Sequence, residues 1–280
     1  MTEQSSVVRA CWLIDGHVHF HGCFELQVFL DAAVANFARG AEELALTEAF
    51  LGVLLLAETS GDQYFAGFRD GSSSREMGGG WCFRQTAEPT SLIATRNGID
   101  LLVLVAGRQV ATREGLEVLA LNGNPELSDG LSFRDSLEAV WDSRTVAVVP
   151  WGFGKWWLGR GRLLREEMRR LAIRPFFLGD NAGRPALLPE PALFRTARAH
   201  GIHILPGTDP LPFRSQQRKA GRYGCCVRSP LDLDRPGESV IRGLCNGAEP
   251  ATFGQLESLR EFCRIQTRMQ WQKLVRGRGK

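Results

Sequence analysis

Apolar and polar positions fall into blocks along this chain, and the period of the pattern changes from block to block. Residues 11–14 are continuously apolar, and then Asp15, His17 and His19 recur at every second position. Period two is the signature of a strand, so His17 and His19 share a face, and Asp15 is expected to point with them. Leu26, Phe29, Leu30, Ala33, Val34 and Phe37 then recur at helical spacing, which predicts a helix over 25–46. Residues 51–59 read as a buried strand with Glu58 after its apolar run. Short strands at 81–85 and 91–96 lie around a mobile Gly/Ser-rich loop at 70–80. Strands follow at 101–105 and 116–121, joined through 106–115. A helix over 132–140 has Ser132 as its N-cap and Asp135 in its first turn. Beyond it come a strand at 145–149, an arginine-rich helix at 157–171 and a strand at 175–178. A helix at 190–200 is stopped by Gly201, a strand at 202–205 runs into Pro206-Gly207-Thr208-Asp209, and a last helix covers 253–275.

Strand and helix alternate through most of the chain. That order predicts an α/β fold with a parallel sheet and helical crossovers, closed as a TIM-like or distorted (β/α) barrel. The expected division is a barrel-like domain over 1–252, with a C-terminal helix and basic tail over 253–280 packed on it. Such folds bind ligands at the carboxyl ends of their strands. The rule gathers His17, His19, Glu58, Glu117, the 151–155 loop, Asp180 and Asp209.

With 280 residues and 44% apolar content, the chain is long enough to bury a sizeable core. Its net charge of +3 is uneven: residues 1–70 carry ten acidic and three basic side chains, and 71–280 carry twenty-one acidic and thirty-one basic. Only Lys155, Lys219, Lys273 and Lys280 are lysines. Arginine forks suit carboxylate and phosphate, which points to a small-molecule anionic substrate, although composition bias explains the arginines equally well. Seven scattered cysteines without a CxxC pair exclude a zinc ribbon and read as reduced thiols of a cytoplasmic protein. The N-terminus lacks a signal-peptide pattern, and the apolar run at 51–57 is too short to span a bilayer. Nucleic acid is expected to be an unlikely partner, because Glu166 and Glu167 interrupt the arginines of the 160–170 helix. Oligomeric state stays open.

Two imidazoles on one face at the end of an apolar strand need a partner, and a divalent metal (zinc, manganese or iron) is the usual one. The expected ligands are His17, His19, Glu117 and Asp209, with Asp209 as ligand or proton acceptor. His200, at a helix end, and His203, early on its strand, are assigned to structure. Trp151-Gly152-Phe153-Gly154-Lys155 combines aromatic rings, close backbone approach and a cation before a helix start. Lys155 is therefore placed at the reaction, and Trp151, Arg160, Arg162 and His21 at the substrate. Hydrogen-bonded histidines without a metal are the alternative.

Asp15-Gly16-His17-Val18-His19 after an N-terminal strand resembles the opening motif of metal-dependent hydrolases of the amidohydrolase type and of the polymerase-and-histidinol-phosphatase (PHP) family. Gly207-Thr208-Asp209 looks like their closing Gly-Ser/Thr-Asp. Residues 105–121 are similar to a PHP stretch, and 236–244 look like the helix near that family's end. The resemblance spans roughly residues 12–245 and implies a metal-dependent hydrolase acting on a phosphoester or amide bond. This chain departs from the pattern at Gln109, where a glutamate belongs, and at Glu117 and Leu211, where histidines belong. The departures leave a catalytically degenerate barrel, serving as a binding or scaffold protein, as the alternative.

Overall fold

The computed structural model describes residues 11–71, 78–123, 125–170, 174, 176–230 and 232–277. Twelve strands and seven helices are described among them. A seven-stranded sheet has the order β12-β11-β1-β2-β5-β4-β3 and a five-stranded sheet the order β10-β9-β8-β7-β6. In the first, β1 (Cys11–Val18), β2 (Phe50–Leu56) and β5 (Ile99–Val105) are parallel. The antiparallel strands β4 (Ser91–Arg96) and β3 (Trp81–Gln85) extend one side, and β11 (Tyr223–Arg228) and β12 (Ala251–Gly254) extend the other. In the second, β8 (Val146–Pro150), β9 (Phe176–Asn181) and β10 (Ile204–Gly207) are parallel. The antiparallel strands β7 (Glu117–Leu121) and β6 (Gly107–Ala111) complete it.

The expected closed barrel does not form. A ring would need β1 to bond β10 and β2 to bond β6 along their lengths. Instead β1 gives its outer edge to β11, and β2 gives its outer edge to β5. Among the described residues, backbone hydrogen bonds link the two sheets only near strand ends. Asp209 N–H donates to His17 O at 2.8 Å on one side; Glu58 N–H donates to Gly107 O, and Gln109 N–H to Glu58 O, on the other.

Alternation along β1 separates the cores. Cys11 and Leu13 join a cluster with Phe29, Leu30 and Phe37 of α1 (Leu26–Glu43), while Trp12 and Ile14 join Val53, Leu119, Val148 and Leu205 between the two sheets. α6 (Pro236–Asn246) adds Val240 and Leu244 to that middle layer. A third cluster packs β7, β8 and β9 against α3 (Phe133–Asp142), α4 (Gly159–Arg170) and α5 (Ala192–Ala199). The layers run helix, sheet, sheet, helix, each apolar face covered once. α2 (Tyr64–Asp70) follows β2 and adds Phe65 to the first cluster, while among the described residues α7 (Leu259–Gly277) contributes nothing to any of the three clusters.

Most predicted elements are present with shifted ends. Ser132 caps α3 by accepting from Asp135 N–H at 3.1 Å, and Gly201 ends α5 at φ +71°. β6 falls where a plain connection over 106–115 was expected. The 253–275 helix begins later, because residues 251–254 pair with β11 and become β12. Much of the 70–80 loop, residues 72–77, lies outside the described residues, as do the N-terminal residues 1–10 and the end of the tail, 278–280.

Candidate metal centre

Two glycines bring β1 and β10 side by side. A Cβ on Gly16 would overlap Leu205 Cγ and come within 2.8 Å of Pro206 O; one on Gly207 would overlap His17 N and reach His17 Cβ at 2.7 Å. Asp15 fastens the approach. It is fully buried and accepts from Thr208 N–H at 2.8 Å, Thr208 Oγ1–H at 2.5 Å and Gly221 N–H at 2.8 Å. Burial pushes its carboxyl up to about 6, although those bonds pull the other way. The expectation that Asp15 points with the histidines is corrected by the register. β1 carries one extra residue between Asp15 and Val18 relative to β2. A bulge of this kind reverses side-chain parity, so Asp15 faces the turn while His17 faces the gap between the sheets.

In that gap His17, His19 and Asp209 converge, each offering one ligand atom, with all three atoms within 4.8 Å of one another. The Nε2 atoms of His17 and His19 are 3.0 Å apart, and Asp209 Oδ1 is 3.8 Å from the first and 3.6 Å from the second. Asn181, at the end of β9, was not foreseen. Its Nδ2 donates to Trp151 O at 2.8 Å and to Asp209 Oδ2 at 2.7 Å, and its Oδ1 lies 3.2 Å from His17 Nδ1. With the amide so engaged, His17 donates from Nδ1 and its Nε2 is left as an acceptor. Gln109 Oε1 lies 3.2 Å from that same Nε2. The acceptors at this point outnumber the protons available to share among them. A cation satisfies them together, so the donor set fits a divalent metal of the nitrogen- and oxygen-binding kind.

The electrostatics agree. Burial, and then the neighbouring His17, lower His19 to about 3, so it is neutral and free to ligate. Asp209 is driven upward by burial, but His17, His19 and Lys155 outweigh that effect and hold its carboxyl below the ordinary range. Asp209 also has φ +46°, a left-handed backbone that aspartate tolerates better than most residues and that turns its side chain back to β1.

The other expected residues divide. Glu117 is absent from the cluster and is ion-paired with Lys155. Trp151 and Lys155 line a cleft of about 280 Å³ together with Asn181, Thr208 and Asp209. His21 stacks on His19 with ring centroids 5.6 Å apart and donates to Pro210 O at 2.8 Å, so it braces the turn. Arg160 donates to Gly154 O at 2.8 Å and holds the 151–155 loop, whereas Arg162 is exposed beside Glu166 on α4, along a separate cleft. Asp180 forms a buried two-bond ion pair with Arg184 and accepts from Tyr223 O–H. Glu58 is buried and accepts from Phe65 N–H at 2.7 Å, at the start of α2.

No family model matches the chain, and no curated protein does. Among solved structures, PsfC from Pseudomonas syringae PB-5123 is similar over 95% of this chain and 99% of its own, with a TM-score of 0.54 and 14% sequence identity. That likeness concerns the fold. The lesion-specific endonuclease PfuEndoQ from Pyrococcus furiosus is similar over 86% of this chain and 57% of its own, with a TM-score of 0.48 and 11% identity. An Endonuclease Q complex with a 27-mer duplex substrate, an abasic lesion at its active site, is similar over 91% and 67%, with a TM-score of 0.47 and 11% identity.

The expectation that nucleic acid is an unlikely partner is withdrawn, because half of its basis in α4 fails. Glu167 is buried against Arg134 and Arg170 and does not interrupt the exposed arginines, whereas Glu166 stays exposed beside Arg162. Among the described residues, no helix is long and apolar enough to cross a membrane.

Proposed function

We propose that this chain is a metal-dependent hydrolase of the PHP type, acting on the phosphoester of an anionic substrate. The observation that supports this most is the convergence of His17 Nε2, His19 Nε2 and Asp209 Oδ1, with the His17 tautomer set by Asn181. When bound there, a divalent cation supplies Lewis acidity toward the ester oxygen. His17 and His19 hold it as neutral imidazoles, and Asp209 holds it as a carboxylate whose second oxygen is kept in place by Asn181. The depressed pKa of Asp209 suits a permanent ligand better than a proton acceptor. Lys155, in the same cleft as Asp209, places positive charge where an anionic phosphoryl group would lie. Trp151 lends a ring to the cleft wall and its carbonyl to Asn181. The seven free cysteines support a reducing compartment such as the cytoplasm.

The choice of phosphoester over amide follows the PHP-like stretch at 105–121 and the cation at Lys155. It is tested by supplying metal-reconstituted protein with p-nitrophenyl phosphate, bis-p-nitrophenyl phosphate and a p-nitroanilide of equal charge. Release of nitrophenol, abolished in His17→Ala, is the expected result. Release of nitroaniline without nitrophenol overturns the phosphoester assignment.

A further inference from the structure

α7 presents a stripe at Phe262, Ile265, Gln266 and Met269, spaced i, i+3, i+4, i+7, and all four line the cleft that reaches Asp209. Among the described residues, none of the three hydrophobic clusters includes a residue of this helix. Its apolar stripe is thus turned onto the approach to the metal centre. Phe262 meets Phe153 at 5.1 Å between ring centroids and 66° between planes, and the half-buried Trp151 lines the same space. Facing these rings, Lys155 and Lys219 line the cleft as well, two of only four lysines in a chain that otherwise uses arginine. Asp209 is the sole carboxylate among the lining residues. One end of the cleft is therefore metal-binding, with Lys155 and Lys219 held there by Glu117 and Glu257, while its wall is aromatic and thioether.

The geometry points to a ring-binding subsite formed by Trp151, Phe153, Phe262 and Met269. On this assignment, which rests on the phosphoester reading above, the substrate carries a flat aromatic group next to its phosphate. The phosphate lies at Lys155 and Asp209, and the ring lies along α7. Offset and edge-to-face packing on Phe153 and Phe262, with the Met269 sulfur at a ring edge, favours a planar group over a flexible chain. The volume of about 280 Å³ sits at the lower end of ligand pockets and takes one such ring system with its phosphate.

Calorimetric titration of the full-length, metal-reconstituted protein tests this with 1-naphthyl phosphate and glycerol 1-phosphate, two monoesters of equal charge. The naphthyl ester is expected to bind about tenfold more tightly, as ring stacking of this kind supplies. In Phe262→Ala/Met269→Ala the ratio of the two affinities falls toward one. Met269→Gln, a half-buried position on the outer helix, gives a second reading if the double variant does not fold. Equal affinities in the unaltered protein, or a ratio that survives in the folded variants, overturn the subsite. Metal content of the same sample separates the two claims. A metal-loaded protein without the preference removes this inference alone, and a protein that takes up no metal removes the hydrolase reading beneath it.

Discussion

His17 is held from both ring nitrogens, by Asn181 at Nδ1 and by the cluster at Nε2, and this double constraint gives single substitutions distinct signatures. Asn181→Leu removes the bond that fixes the tautomer and also the donor to Asp209 Oδ2. Losing a partner of this kind lowers metal affinity by about 10–100-fold in other metal sites, and equilibrium dialysis against a chelator should show a loss of that order. An unchanged affinity would mean that Asn181 does not orient the ring. Asp180, next to Asn181 on β9 but buried on Arg184, should behave oppositely. Asp180→Ala strands a buried guanidinium and is expected to cost about 3–5 kcal/mol of stability, with metal content per folded chain preserved. Urea denaturation and metal analysis of the same preparation distinguish the two cases. Sequence placed Asp180 and Asp209 alike at strand ends and could not separate them, because the difference lies in Arg184 and Tyr223, which reach Asp180 only in the folded chain.

Glu58 carries the pH dependence that is open to a direct test. Burial raises its carboxyl above the ordinary range, opposed by the N–H of Phe65. The folded chain therefore keeps this proton at pH values where the unfolded chain, with a carboxyl near about 4.3, has lost it. The resulting stabilisation is full below that value and disappears as pH rises through the folded value. Glu58→Gln keeps an acceptor for Phe65 and cannot ionise. Denaturation between pH 4 and 8 should show the variant gaining on the unaltered protein as pH rises; parallel curves would contradict this.

At the scale of elements, the contact between β1 and β10 decides whether the cluster exists. Gly16→Ala and Gly207→Ala each insert a methyl where the other strand's atoms already lie. Overpacking of this kind costs about 1–3 kcal/mol, and here it also separates His17 from Asp209. Both variants should therefore lose stability and metal affinity together; loss of stability alone would show that the cluster tolerates the displacement. The sequence made His17, His19 and Asp209 recognisable because strand ends, histidine spacing and a Gly-Thr-Asp turn are all local features. It misassigned the face of Asp15, because the extra residue in β1 is defined only against its partner β2. It also placed Glu117 among the ligands, since an acidic residue on a strand carries no mark of the lysine that will meet it.

The whole molecule shows the same limit. Alternating strands and helices were evident from apolar periodicity, and they imply parallel pairing. Which strand fills each edge is a long-range choice, and β5 and β11 filled the edges that a barrel would have left for β6 and β10. The result is a sandwich whose middle layer joins both sheets, so that layer should govern global stability. Leu119 is fully buried there, and Leu119→Ala is expected to cost about 2–5 kcal/mol. The joined edges also place the carboxyl ends of β1, β9 and β10 around one gap, where the proposed chemistry sits.

This gap is expected to hold one cation. Plasma mass spectrometry on protein purified with zinc, manganese and iron supplied should find about one equivalent of divalent metal per chain, lost in His17→Ala/His19→Ala while that variant remains folded by circular dichroism. Protein that binds no metal under those conditions, or that keeps its metal when both histidines are replaced, would contradict it.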